Sequence, residues 1–197
     1  MTNQPISPEA IDSVFLEART FSAWLPEPVS IGLLRKAYDI ARMGPTSANL
    51  SPLRMLFLTT DEAKARLLPA LSSTNVEKSR TAPVVALVAY DTQFYEHAER
   101  LFPQMKIRGM FEGNPDLIEQ TAFRNGSLQG AYFIIAARAL GLDCGPMSGF
   151  DVDKVNAEFF PDGRWKINFV LNLGYGDSSK LFPRNPRLEF EEACRVI

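Results

Sequence analysis

Apolar positions along this chain follow two periods in alternation. Ile11, Val14, Phe15 and Ala18 are spaced by three and four, which predicts a helix over 8–19. Leu33, Leu34, Ala37, Ile40 and Ala41 make a second helical stripe, with Ser30 placed to cap it and Gly44 and Pro45 to stop it. Residues 53–59 read as a strand. The stretch "DEAKARLLPALS" predicts a short helix, its acidic residues in the first turn where the helix dipole favours them. After Pro83, the unbroken run "VVALVAY" is the pattern of a strand buried on both faces. Residues 92–113 mix aromatic and charged residues with Pro103, Gly109 and Gly113, and predict a short helix with a mobile loop.

The clearest helix runs between Asn114, a plausible N-cap followed by Pro115, and Gly141. Its second half is apolar on nearly every side, so it should be buried at the centre of the fold. Gly126 and Gly130 share a face and suit close packing, with a dimer interface as one candidate neighbour. A membrane helix pair is excluded by Arg124, Asn125, Gln129 and Arg138. A helix over 151–160 and the turn "PDG" come next. In "WKINFVLNL", Trp165, Ile167, Phe169, Leu171 and Leu173 alternate with Lys166, Asn168, Val170 and Asn172, which predicts a half-buried strand broken only by Val170. The tail from Phe182 has two prolines and no strong stripe, and should lie extended over another surface. No repeat or linker interrupts the pattern. One domain over 1–197, of α/β or α+β class, is expected.

Composition narrows the chemistry. Lys and Arg total 21 against 23 Asp and Glu, so no basic face for nucleic acid is expected. No apolar run reaches membrane-spanning length, and "MTNQPISPEA" has no secretory pattern, so a cytoplasmic protein is expected. Cys144 and Cys194 make no disulfide framework. His97 is the one histidine, which leaves no histidine-based metal cluster within the chain. Cys144 with His97 as nucleophile and base is weighed against a packed, inert cysteine, and the second is favoured. There is no G-x-S-x-G elbow, G-x-G-x-x-G or P-loop lysine. If the chain is an enzyme, its reactive group is borrowed.

Four loops carry the candidate chemistry: "EARTF" at 17–21, "GPTSAN" at 44–49, "CGPMSG" at 144–149 and "PRNPR" at 183–187. Two supply guanidinium groups, which suit phosphate. One supplies hydroxyls and an amide, which suit a polyol or the edge of a heterocycle. One supplies glycines, which let backbone N–H groups approach a ligand.

Taken with "RNGSLQGAY" and "NLGYGD", these loops resemble the nitroreductase-like flavoprotein family, and within it the subgroup named for malonic semialdehyde reductase of uracil degradation. The resemblance implies an α+β fold with a mixed sheet wrapped by helices, an intertwined homodimer, FMN at the dimer interface and NADPH or NADH as reductant. It implies a ping-pong cycle in which hydride passes through flavin N5 to a small acceptor. It places Arg19 and Thr20 on the phosphate or ribityl chain, and Pro45, Thr46, Ser47 and Asn49 against the flavin, Asn49 at its polar edge. Gly145, Pro146 and Met147 run beside the reactive face, and Arg184 or Arg187 closes on the phosphate. Many family members have a basic residue where Ser22 stands and glutamine where Ser51 stands; the subgroup shares the serine at 51, and often has cysteine where Leu50 stands. For a short carboxylate substrate, Arg108 and Phe111 in segment 94–113 are the candidate cation and aromatic wall. A broad nitro or quinone reductase and a non-enzymatic flavin-binding protein are the alternatives.

Overall fold

The computed structural model describes residues 4–197. Four strands form one sheet in the order β1-β2-β4-β3: β1 is Leu53–Leu58, β2 Val84–Asp91, β3 Asp143–Met147 and β4 Trp165–Gly174. All three pairings are antiparallel. The expected mixed character is reduced to a single parallel bridge, Thr20 to Cys144, which lays the N-terminal segment along β3. The class is α+β as expected. β2 is central and every one of its residues is buried, which is what its unbroken apolar run predicts.

Helices cover both faces. On one face lie α2 (Ile31–Ala41) and α6 (Pro115–Ala139), packing Leu34, Ala37, Phe133 and Ala137 onto Ala86, Val88, Leu171 and Leu173. On the other lie α3 (Asp61–Leu67) and α7 (Val152–Phe159), packing Leu67 and Val155 onto Val85, Leu87, Ile167 and Val170. The caps read from sequence are formed: the Ser30 side chain accepts from the Leu33 N–H, and Asn114 accepts from the Leu117 N–H.

Several expectations are corrected. The first helix is shorter than 8–19: α1 spans Pro8–Ile11 and continues as one wide turn over Asp12–Leu16. The helix at 61–72 ends as α3 at Leu67 with a tight turn to Ala70, and a separate helix, α4 (Ser73–Arg80), follows. The "CGPMSG" loop is largely a strand, β3; its Pro146 is tolerated because β3 is at the sheet's edge. β4 is a central strand, and its alternation hides a bulge. Val88 pairs with Phe169 while Ala89 pairs with Ile167, so Asn168 is the extra residue. Trp165 and Ile167 therefore face α7 while Phe169, Leu171 and Leu173 face α6, and Val170, the supposed break, is a core residue. Gly126 and Gly130 serve packing inside the chain: a Cβ on them would meet Tyr90 at 3.1 Å and the Phe169 ring at 2.8 Å, respectively. Segment 92–113 is not a free loop. It holds α5 (Ala98–Leu101) between single tight turns, and buries Phe94, Ala98, Ile107 and Phe111 as a third cluster.

Candidate active site in two halves

The first half lies at the β3 edge. The Phe21 N–H donates to the Cys144 carbonyl at 3.1 Å, holding Arg19 and Thr20 beside the strand. Arg19 Nη2 donates to the Phe182 carbonyl at 2.5 Å, and Arg184 Nη2 donates to the Ala18 carbonyl at 3.3 Å. The N-terminal segment and the tail are thus laced together. Between them opens a cleft of 300 Å³ lined by Arg19, Arg138, Lys180, Arg184 and Arg187, with no carboxylate in its wall. Five cations around so small a space repel one another unless an anion joins them. Arg138 adds a sharper sign. Its Nη1 donates to the Val14 carbonyl at 3.3 Å, but its Nε is buried with no partner. A buried donor left open in a cationic cleft fits a phosphate oxygen. Ser22 also lines this cleft, and Arg138 and Lys180 supply charge there.

Gly145, Pro146 and Met147 follow on β3. Behind them stands α4, which patterning missed because the residues it buries, Asn75 and Ser79, are polar. Asn75 Nδ2 donates to the Gly149 carbonyl at 3.0 Å, Ser79 Oγ lies 3.7 Å from Met147 Sδ, and Trp24 Nε1 donates to the Lys78 carbonyl at 3.0 Å. Lys78 Nζ lies 3.5 Å from Asn75 Oδ1, so an ammonium stands beside the amide that binds the Gly149 carbonyl.

The second half is the loop after α2. Ala48, Asn49 and Ser51 all have left-handed backbones, with φ of 46°, 53° and 44°. Side chains hold this costly turn. Thr46 Oγ1 accepts from the Ser51 N–H at 3.2 Å, Asn125 Oδ1 accepts from the Ser47 N–H at 2.8 Å, and Asn49 Nδ2 donates to the Leu101 carbonyl at 2.9 Å. Pro45, Thr46 and Asn49 line a larger cleft of 1040 Å³, whose walls include Tyr38, Arg42, Arg54, His97, Arg100 and Trp165.

The halves are far apart within one chain. The row through Gly145 continues to Asn172, Val85 and Leu58. Three strand spacings separate Gly145 from Leu58, about 14 Å, and Leu53, where the second loop enters the sheet, is five residues or about 17 Å further along β1. They occupy opposite corners of the sheet.

Residues 2–175 match the model of the nitroreductase family. The chain belongs to that family. A Ralstonia nicotianae protein, provisionally named NADH dehydrogenase/NAD(P)H nitroreductase, is 56% identical over 192 residues and 98% of each chain. A Rhodopseudomonas palustris protein of the same provisional name is 54% identical over 187 residues, 95% of each. A solved structure from Exiguobacterium sibiricum, provisionally named a nitroreductase and crystallised in complex with FMN, superposes with a TM-score of 0.86. It is 20% identical, and each chain is fully covered, so this likeness speaks to the fold.

In this nitroreductase-family chain, the two residues expected to meet the substrate are placed elsewhere. Arg108 Nε is bound to Glu112 Oε1 at 2.7 Å and lies outside the lining of the large cleft. Phe111 is buried against Phe94 and stacked on Tyr95, so it is core. Cys144 is buried at the opposite corner from His97, and burial pushes its thiol up to about 12. It is a packed cysteine, as expected, while His97 lines a cleft. Arg138, Lys180, Asn75, Lys78 and Arg100 were not singled out as site residues. For Arg138 there was a signal, a lone cation in an otherwise apolar half-helix.

Proposed function

We propose that this chain is an FMN-dependent NAD(P)H oxidoreductase, acting as a homodimer, that reduces malonic semialdehyde (3-oxopropanoate) to 3-hydroxypropanoate. The observation that carries the reading is the split site: a cationic cleft with an orphaned Arg138 donor at one corner, a hydroxyl and amide loop at the other. A second copy related by a twofold axis would bring one chain's loop to the other's β3. The outer face of α6 supports this, since Leu128 and Tyr132, one turn apart, are both at least 40% exposed. So does the tail, where Phe182, Leu188 and Phe190 have no cover.

Arg19, Arg138, Lys180, Arg184 and Arg187 would hold the FMN phosphate, and Thr20 the adjoining chain. Gly145, Pro146 and Met147 would lie along the ring, and Pro45, Thr46, Ser47 and Asn49 of a second copy would close on it. When bound, FMN supplies hydride transfer between NAD(P)H and the acceptor. The chain's own part is to bind, orient and exclude water. The aldehyde acid is supported by the subgroup motifs and by a large cleft with arginines and no carboxylate in its lining. The relatives' names favour a second reading, a broad nitro or quinone reductase.

The test is a flavin spectrum of the purified protein, its bleaching by NADPH without oxygen, and turnover of 3-oxopropanoate beside a nitroarene. A kcat/KM higher for the aldehyde acid supports the proposal. A higher value for the nitroarene selects the second reading. A colourless protein that takes up no FMN rejects both.

A further inference from the structure

We infer that Arg100 and His97 form an anion-reading end of the large cleft, which takes the carboxylate of a short aldehyde acid. This rests on the proposed function above and names the residues that select its acceptor.

The argument starts from the fate of each arginine around the cleft. Arg42 Nε is paired with Asp39 at 3.3 Å, and Arg54 Nη2 with the buried Asp91 at 2.6 Å. Of the two acids near Arg100 in sequence, Glu96 is taken by Arg164 at 2.9 Å, and Glu99, its neighbour on α5, makes no ion pair with it. Arg100 alone of the cleft's three arginines has no ion pair or hydrogen bond among the described residues. His97 lines the same cleft and is likewise without a hydrogen-bonded partner among the described residues. It stands at the start of α5, three positions before Arg100, so the two side chains project to one side. No Asp or Glu contributes to the cleft's lining.

Position is the second part. Asn49 Nδ2 donates to the carbonyl of Leu101, the residue after Arg100, at 2.9 Å. The loop expected at the flavin's polar edge is thereby latched to the helix carrying the free cation. The Trp165 indole, half-buried, and Tyr38 and Phe57 give the same cleft flat apolar walls. A planar guanidinium beside an imidazole, at one end of such a cleft, binds two carboxylate oxygens and leaves the aldehyde end free to lie over the flavin. A phosphate of the reductant offers the same anionic oxygens, so the experiment separates the two.

The experiment uses the FMN-loaded homodimer. Titration calorimetry with 3-hydroxypropanoate measures binding without turnover, and steady-state assays compare KM for 3-oxopropanoate with KM for propanal, its uncharged counterpart. Arg100→Ala is expected to weaken 3-hydroxypropanoate about tenfold or more, and to raise the ratio of the two KM values by a similar factor. Arg100→Lys should recover part of the loss, since charge remains but the fork is gone. His97→Ala should weaken binding less than Arg100→Ala. Arg108→Ala, outside the cleft lining, is the control and should leave both readouts as in the wild type. The inference is overturned if Arg100→Ala changes both KM values alike or neither. It is also overturned if the loss appears only in the Kd for NADPH, which would assign Arg100 to the reductant. Unaltered flavin uptake and NADPH oxidation by the variants, with propanal or a quinone as acceptor, would leave the proposed function standing in either case.

Discussion

Arg19 donates from Nη2 to the carbonyl oxygen of Phe182, 163 positions along the chain, at 2.5 Å. One guanidinium therefore pins the tail to the N-terminal segment and still has donors left for the cleft it lines. Arg19→Ala removes a charge-assisted contact of about 1.5–3 kcal/mol, so FMN affinity should fall tenfold or more. Arg19→Lys should fall between. Fluorescence titration of FMN into the apoprotein measures this, and equal affinities would remove Arg19 from the phosphate site.

Assembly gives a second expectation. Leu128 is 47% exposed on α6, one helical turn from the exposed Tyr132. A charge at a merely solvated position changes stability by no more than about 0.5 kcal/mol. If α6 meets a second copy, Leu128→Glu buries that charge and should split the dimer, and FMN retention should fall with it. Light scattering at micromolar concentration reads the first effect, absorbance the second. A wild-type monomer that retains FMN would defeat the two-halved site.

The legible parts of the fold were those with long, regular periods. α2, α6, β1 and β2 follow from their stripes, caps and apolar runs. β3 did not, because Gly145 and Pro146 mask a strand whose stability comes from β4 and from the segment at Thr20. α4 did not, because Asn75 and Ser79 are buried for their hydrogen bonds. The bulge at Asn168 is set by a tertiary contact, its Nδ2 donating to Ser127 Oγ at 2.9 Å, and local alternation cannot register that. The loops proposed for the site were legible as a set. Their separation into two corners was not, since it depends on strand order, and Arg108 looked available only because its i,i+4 partner Glu112 was not weighed.

The loop at 44–52 stores backbone strain that can be released. Ser51 has φ of 44°, and its hydroxyl makes only a 3.4 Å contact to the Asn49 carbonyl. A left-handed backbone costs a residue with a Cβ roughly 1–2 kcal/mol. Ser51→Gly should therefore raise Tm by about 2–4 °C in a chain of this length. Thermal unfolding of the FMN-free protein checks it. A lowered Tm would mean that the serine side chain contributes more than its geometry indicates.

Gly145 links stability to cofactor binding most directly. A Cβ there would stand 2.5 Å from the Phe21 carbonyl oxygen and 3.2 Å from the Trp24 ring. The first neighbour is backbone, so it cannot rotate aside. Gly145→Ala must push the 19–21 segment away from β3, straining the Thr20–Cys144 bridge and the Phe21 N–H bond to Cys144. Such overpacking costs about 1–3 kcal/mol. Because Arg19 rides on that segment, the loss should reach the phosphate cleft as well. Tm should fall by several degrees and FMN affinity with it, although Gly145 has no side chain to touch the cofactor. Gly130→Ala is the comparison: its Cβ would meet the outer atoms of the Phe169 ring at 2.8 Å, which can shift. It should lower Tm less and leave FMN affinity unchanged. If both variants lose FMN in proportion to their Tm, the effect is general loosening, and the close fit of Phe21 over Gly145 has no special part in holding the phosphate site.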